Sequence, residues 1–556
     1  MIISEEYPLS AYQKDIWLEQ CMHPDKPIYN IGGYIEVKGP LDTALLEKAI
    51  MRLIHDNDSL RIRLTDNKGE PRLTLLPEVD YKLPFHNFSM KEDPKKYCLA
   101  WMRTEFLKPF QPDDYYFQFG LLQADTNTYF ILLKGYHLVI DGWGFALLIN
   151  RMMDNYNRLA QGTVDTNTAT YSYTDFILDN QEYLQSATFL KDRDFWKNKF
   201  ATLPEPLFGK EAVSGRSSED SVWSDRQTLA INKTQYNQML EFCKAEGCSS
   251  FHYFLGLLFL YFSRVCNRSE LVIGVPVFNR SKVQYKQTLG HFANVLPLRI
   301  SPEQDMTFKE LLRFIKRELM QCYRHQKMPF GEIHRAVYEH SKDKGNLFDI
   351  SLSFEEQDIN NAFHGTICGN VTMTHHHERN ALTLLIWGHE GEGDVAVNFD
   401  YRIQNFAEFI PIEDVIRHFE HLFAQGMQHS DKLISHIDIV PGDERSVQLH
   451  DYNQTTADYP REQTIQERFE EQAAGRADHP ALVWDGQLLT YRELNARANR
   501  LARTLRGRGV QPDDIVAIMV ERSPEMVIGI LATLKAGGAY LPIDPNYPEE
   551  RIQYML

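Results

Sequence analysis

The sequence predicts an α/β fold: two α/β stretches in succession, then a shorter third piece after a linker. Three observations carry this. Residues 129–133 (YFILL) are a short apolar run of aromatic and branched side chains, the pattern of a buried strand. Phe145, Leu148, Ile149, Met152, Tyr156 and Leu159 then recur at helical spacing, and Gly162 suits the helix end. Residues 271–275 (LVIGV) repeat the apolar run, and 307–324 (TFKELLRFIKRELMQCYR) repeat the helix. At 556 residues the chain is too long for one hydrophobic core.

The remaining elements follow in chain order. Apolar side chains at 45, 46, 49, 50, 53 and 54 make 42–54 an amphipathic helix with Asp42 as its cap. The strand at 129–133 runs into KGYHLVIDGWG (134–144), so His137 and Asp141 lie where a strand turns into a helix. Residues 162–172 and 209–224 are polar and small, as connections are. Pro276 is expected to stop the strand at 271–275, and Pro297 places the extended run 293–300 at an edge or bulge. DVAVNFDY (394–401) alternates as a half-buried strand does. After about 440, PGDERSVQLHDYNQTTADYP is turn-rich and reads as a linker. A helix begins near 465, and Arg492, Arg497, Arg500, Arg503, Arg506 and Arg508 decorate a helical surface further on. The third piece stops after YLPIDPNYPEERIQYML, which leaves its fold incomplete.

Composition excludes several classes. With 43% hydrophobic and 24% charged residues the chain is globular. A formal charge of -17 argues against a nucleic-acid partner, which needs basic patches on phosphate. No apolar run reaches the length of a membrane span, and MIISEEYPLSAYQ lacks the basic start and apolar core of a secretory signal. Seven scattered cysteines without a C-x-x-C pair fit a reduced, cytoplasmic protein with no zinc finger.

The polar pair His137 and Asp141 sits in an apolar run, where polar groups cost free energy unless paired or used. Three readings compete: a satisfied core histidine with a turn aspartate, a metal site, or an acid/base group held by an organised loop. The metal reading lacks a third ligand. Asp-Gly at a strand end favours the third, because glycine lets a substrate approach the backbone. A buried carboxylate needs a cation, and Arg280 in GVPVFNR is the candidate partner; a surface arginine is the rival reading. His375, His376 and His377 beside Glu378 look metal-like, but consecutive residues point to different sides, so a solvated loop is expected. Gly537 and Gly538 are not a phosphate loop, since no Lys-Ser follows.

Taken together, the segments resemble the condensation domain of nonribosomal peptide synthetases, followed by the beginning of an adenylation domain. YPLSAYQKDIW (7–17) resembles the opening signature and LIHDNDSLRIRL (53–64) the next segment. GYHLVIDGWG resembles the His-His-x-x-x-Asp-Gly motif, and YTDFI (173–177) the end of the first lobe. LGHFANVLPLR (289–299), HQKMPF (325–330) and FDISLSFE (348–355) resemble or occupy the later signatures. YNQTTADYP (452–460) looks like the usual linker, and LTYREL (489–494) and LKAGGAYLPIDP (534–545) look like the first adenylation motifs. Two departures stand out: Tyr136 replaces the first histidine, and Gly144 replaces a common serine, which is expected to alter the tunnel.

The resemblance implies a two-lobed, V-shaped fold similar to chloramphenicol acetyltransferase, with residues 1–175 as the first lobe and 176–440 as the second. Residues 441–462 would be the linker and 463–556 a truncated adenylation fragment, which ends before that family's phosphate-binding loop and so would not adenylate. A tunnel between the lobes would receive a donor thioester at one face and an aminoacyl thioester at the other. His137 would then deprotonate or orient the acceptor amine, or stabilise the charged intermediate. Asp141 and Arg280 would be structural, Tyr136 a packing group, and Gly142, Trp143 and Ser353 substrate contacts. The chain would bind no cofactor or metal of its own; its substrates would arrive as phosphopantetheine or CoA thioesters. Partners would be an aminoacyl carrier, an acyl-CoA or upstream carrier, and the rest of the adenylation domain. Heterocyclisation domains carry aspartate in place of the histidine, and epimerisation domains follow a carrier. The opening signature lies next to Met1, so a starter domain joining a fatty acyl group to the first amino acid is favoured. The alternatives are an elongation domain and a non-catalytic platform that docks carriers.

Overall fold

The structure is a computed structural model that describes residues 5–67, 70–163, 171–208, 222–302, 306–341, 345–355, 362–387, 393–408 and 410–556. Most of the two expected connections, at 164–170 and 209–221, lies outside the described residues. The chain divides into two compact units, Met1–Arg445 and Ser446–Leu556.

The first unit is α/β and holds two large sheets. One sheet orders its strands as Ile367–Thr372, Asn30–Lys38, Thr128–Tyr136, Phe117–Gln123 and Phe85–Asn87. Thr128–Tyr136 is buried from Tyr129 onward, because helices cover both faces; its unbroken apolar run follows from that. On one face lie the helices Thr43–Asp56 and Gly142–Ala160, which share a core of Leu46, Ile50, Leu53, Ile149, Met152 and Met153. Asp42 caps the first of these, accepting from the N–H groups of Ala44 (2.9 Å) and Leu45 (3.0 Å). On the other face Pro94–Phe106 buries Cys98, Met102 and Phe106.

The second sheet runs Asn294–Ile300, Leu271–Val277, Ile350–Glu355, Leu382–Trp387, Val395–Arg402 and Ser224–Ile231. Its helical cover includes Ser250–Val265, which is buried without a break from Tyr253 to Phe262. A helix apolar all round belongs inside a core. Pro276 does not stop its strand, contrary to expectation: it pairs with Val295 and the strand continues to Val277. The parallel neighbour Ile350–Glu355 pairs only with Ile273 and Gly274, so Pro276 lies where one side of the strand is free of a ladder. Asn294–Ile300 is the edge strand, as Pro297 requires.

The two sheets exchange material. Ile367–Thr372, from the part of the chain expected in the second lobe, pairs antiparallel with Asn30–Lys38 in the first sheet. Gly33 permits this crossing, because a Cβ there would sit 2.0 Å from the Val371 carbonyl oxygen. In return, the helix Ala11–Met22 reaches the second part: Asp15 Oδ2 accepts from the Gly331 N–H (2.8 Å) and the Tyr12 hydroxyl donates to the Lys327 carbonyl (2.7 Å).

The histidine run is not a solvated loop. His377 is buried, its ring lies 4.9 Å from that of Trp223, and its Nδ1 meets the His375 carbonyl at 2.7 Å. Burial pushes the His375 imidazole down to about 3. The bridge between Trp223 and His377 draws the run against the protein, which the polar sequence does not reveal. Among the described residues no His, Cys, Asp or Glu group gathers as a metal site, and no helix is long and apolar enough to cross a membrane. All seven cysteines are free thiols.

In the second unit the helices Tyr491–Gly507 and Pro524–Ala536 pack through Leu494, Ala498, Ile528 and Leu531. The six arginines lie on the exposed face. Ile515–Met519 and Ala539–Ile543 form a parallel pair, and Pro480–Trp484 with Gln487–Thr490 an antiparallel one.

Candidate active site

The site begins where Thr128–Tyr136 ends. The His137 N–H donates to the Tyr29 carbonyl and the Asp141 N–H to the Gly290 carbonyl (2.9 and 3.2 Å), so the turn between them is pinned at both ends. Leu138, Val139 and Ile140 are buried below it. Asp141 then caps the helix Gly142–Ala160, its Oδ1 accepting from the Gly144 N–H at 2.8 Å.

Asp141 has no capacity left for His137. Its Oδ1 also accepts from Arg280 Nη2 at 2.7 Å, and its Oδ2 from the N–H groups of Phe292 (2.9 Å) and Ala293 (3.1 Å). Arg280 is held through its two terminal nitrogens. Nη1 donates to the carbonyls of Tyr285 and Thr288 (the latter at 2.7 Å), Nη2 also reaches the Gly290 carbonyl (3.3 Å), and the guanidinium lies 4.0 Å over the Phe292 ring. Both side chains are 2% exposed. The cation that a buried Asp141 requires is therefore Arg280. Burial raises the Asp141 carboxyl, but Arg280, His291 and the N–H groups of Gly144 and Phe292 together hold it below the usual carboxylate range.

Burial likewise dominates at His137 and pushes its imidazole below the ordinary value; the Asp141 charge opposes this without cancelling it. His137 is neutral at neutral pH. Its Nδ1 is enclosed and meets no well-formed hydrogen bond. Tyr29 packs edge-on against the ring at 6.3 Å and His291 at 5.0 Å.

A cavity of about 1040 Å³ opens beside His137. Its wall contains His137, Asp141, Gly142, Trp143, Arg280 and Ser353, so six of the seven site residues expected from sequence converge there. Trp143 is fixed by donating Nε1–H to the Lys286 carbonyl (2.9 Å) and by its contact with Phe278 (5.2 Å). Tyr136 does not line the cavity. It is buried behind it, 5.3 Å from Tyr116 and 5.8 Å from Phe110. Gly144 does not line it either: a Cβ there would meet Ile140 at 3.0 Å and both Asp141 Oδ1 and the Gly290 carbonyl oxygen at 3.2 Å, so its missing side chain leaves room for the turn and the segment that holds it. Tyr29 and His291 line the cavity and were not expected from sequence. His291 had a visible signal, a lone imidazole in the apolar LGHFANVL; Tyr29 had none.

The arrangement is a neutral imidazole on a rigid turn, facing a large cavity with aromatic walls. Residues 3–449 match the Condensation domain family, and residues 469–556 match the AMP-binding enzyme family. The chain belongs to the condensation-domain family. It is 31% identical, over 99% of its length, to Surfactin synthase subunit 1 of Bacillus subtilis (strain 168), of which it spans 15%. It is 30% identical, again over 99% of its length, to Gramicidin S synthase 2 of Brevibacillus brevis, of which it spans 12%. The chain thus covers only a small part of those relatives. Among solved structures, the starter condensation domain of rhizomide synthetase in complex with C8-CoA and Leu-SNAC matches with a TM-score of 0.69 at 23% identity, over 78% of this chain and 98% of that one. The first condensation domain of the calcium-dependent antibiotic synthetase, with a substrate analogue, matches with a TM-score of 0.68 at 20% identity, over 79% of this chain and 100% of that one. The condensation unit therefore has that two-lobed α/β fold, followed by the start of an AMP-binding domain.

Proposed function

We propose that this condensation domain forms an amide bond between an acyl thioester and the amine of an aminoacyl thioester held on a carrier protein. The observation that carries this is a neutral His137 presented to the cavity by a turn that the buried Asp141–Arg280 pair holds in place. Residues 1–175 and 176–440 supply the two lobes, 441–462 the linker, and 463–556 the start of the adenylation domain. Both substrates arrive as phosphopantetheine or CoA thioesters, and the chain supplies no cofactor.

The favoured donor is a fatty acyl-CoA. Support comes from the rhizomide starter domain, which was solved with C8-CoA. His137 accepts or orients the amine N–H as nitrogen attacks the thioester carbon. Asp141 and Arg280 act through it by fixing the turn. Gly142 and Trp143 line the path of the arm, Ser353 offers a polar contact, and Tyr136 supports the strand end from behind.

Because His137 stays neutral, the amine's own ionisation governs the pH dependence. An α-amine has a pKa of about 7.7–8.0, so transfer is expected to rise from pH 6 to pH 8 with that midpoint. A midpoint near the ordinary imidazole value, measured by quenched-flow at saturating carrier, contradicts a neutral His137.

The deciding experiment is the intact mass of a cognate aminoacyl carrier incubated with this chain and mixed acyl-CoAs. A gain of one acyl group, lowered at least about 10²-fold by His137→Ala, supports starter acyl transfer. Transfer only from a peptidyl carrier moves the domain to elongation. Carrier binding without transfer from any donor leaves a docking platform.

A further inference from the structure

His291 shares the cavity with His137, and the amide-forming reading gives it no task. It is fixed by the same pair that fixes His137. Gly290 before it gives its carbonyl to Arg280 (3.3 Å), and Phe292 after it gives its N–H to Asp141 (2.9 Å). Its own carbonyl accepts from the hydroxyl of the fully buried Tyr173 at 2.7 Å. The two imidazole rings stand 5.0 Å apart at 85°. In both rings Nδ1 is enclosed and meets no well-formed hydrogen bond, and both residues line the cavity, which leaves Nε2 as the nitrogen available to a substrate. Burial pushes the His291 imidazole down to about 3, and it stays neutral throughout the working range.

Amide formation asks for a second group of this kind. When the amine nitrogen bonds to the thioester carbon, the carbonyl π pair moves onto oxygen as an oxyanion. When the carbonyl reforms, the C–S bond breaks and the electron pair leaves on sulfur. The proton lost by nitrogen passes through His137 and returns to the thiolate. That balances the proton and leaves the transient negative oxygen in need of a donor. A neutral imidazole carrying its proton on the cavity side donates one hydrogen bond and releases nothing.

We propose that His291 is a second catalytic residue, whose Nε2–H donates to the oxygen that becomes negative while His137 handles the amine proton. The proposal rests on the amide-forming reading. Loss of one such donor typically lowers kcat by about 10²–10³-fold. The test compares His291→Phe, which keeps ring volume without a donor, with His291→Gln, whose amide N–H lies near the position of Nε2. Both are made in the full chain and assayed by acyl transfer to the aminoacyl carrier. Expected is a fall in kcat of about 10²-fold for His291→Phe with KM within threefold, and recovery to within about tenfold of the parent for His291→Gln. Retention of kcat within threefold by His291→Phe overturns the proposal and leaves the amide-forming reading standing. Equal losses in both variants, or a loss that tracks a lowered Tm, make His291 a packing residue and overturn it as well. No transfer by the parent chain from any donor overturns the amide-forming reading and the role of His291 with it.

Discussion

Arg280→Ala is expected to destabilise the condensation unit by about 3–5 kcal/mol and to abolish acyl transfer. The pair is worth that much because of what removal leaves behind. Asp141 would remain buried at 2% exposure with two backbone N–H partners on Oδ2 and one on Oδ1, but with no cation. The carbonyls of Thr288 and Gly290 would also lose their guanidinium donor. Arg280→Lys keeps the charge but cannot serve all these acceptors with a planar fork, so it is expected to recover only part of the loss. The pH dependence carries a second signature. In the parent the folded carboxyl lies below its unfolded value of about 3.9, so its contribution is present above that value and lost as pH falls through the folded one. Without Arg280, burial dominates and raises the carboxyl, so protonation favours the folded state and stability should improve on mild acidification. Thermal unfolding from pH 2 to 8 checks both. A variant with the parent's Tm at every pH would show that the pair contributes little.

The sequence already placed His137 and Asp141 at a strand-to-helix turn because that information is local. An apolar run, a glycine-flanked polar pair and a helical repeat follow one another within 31 residues, 129–159. Arg280 was reachable through the charge rule for buried carboxylates, although 139 positions separate it from Asp141. The neighbours of His137 were not legible, because strand register sets them. Tyr29 meets the His137 backbone only because Asn30 pairs with Tyr136 in an antiparallel ladder. No periodicity in residues 29–38 encodes that partner. The crossing strand Ile367–Thr372 escaped for a different reason. It is mostly exposed and holds Gly369 and Asn370, so it lacks the alternation that marks a half-buried strand. Its place comes from the gap that Gly33 leaves for it.

Gly290→Ala is expected to damage stability and catalysis together, and it separates the turn's geometry from its charges. A Cβ on Gly290 would lie 2.1 Å from Cδ2 and 2.5 Å from Cε2 of Tyr173. Tyr173 cannot swing away cheaply. It is fully buried, packs 5.3 Å from Phe292 and donates its hydroxyl to the His291 carbonyl. The backbone at 290 must move instead, at an overpacking cost of about 1–3 kcal/mol. That movement has chemical consequences, since the Gly290 carbonyl holds both the Asp141 N–H and Arg280 Nη2. Shifting it displaces the cap of the His137 turn while every charge remains in place. A positioned group loses rate steeply when moved, about 10²-fold for 1 Å. The expected result is a lowered Tm with kcat reduced at least tenfold and the pH midpoint of transfer unchanged, because the ionisation of the amine is untouched. Tyr173→Leu on the Gly290→Ala background frees space for the new methyl group and should restore part of the lost kcat. An unaltered kcat in Gly290→Ala would mean that the turn tolerates displacement, and that Asp141 and Arg280 matter to this domain through stability alone.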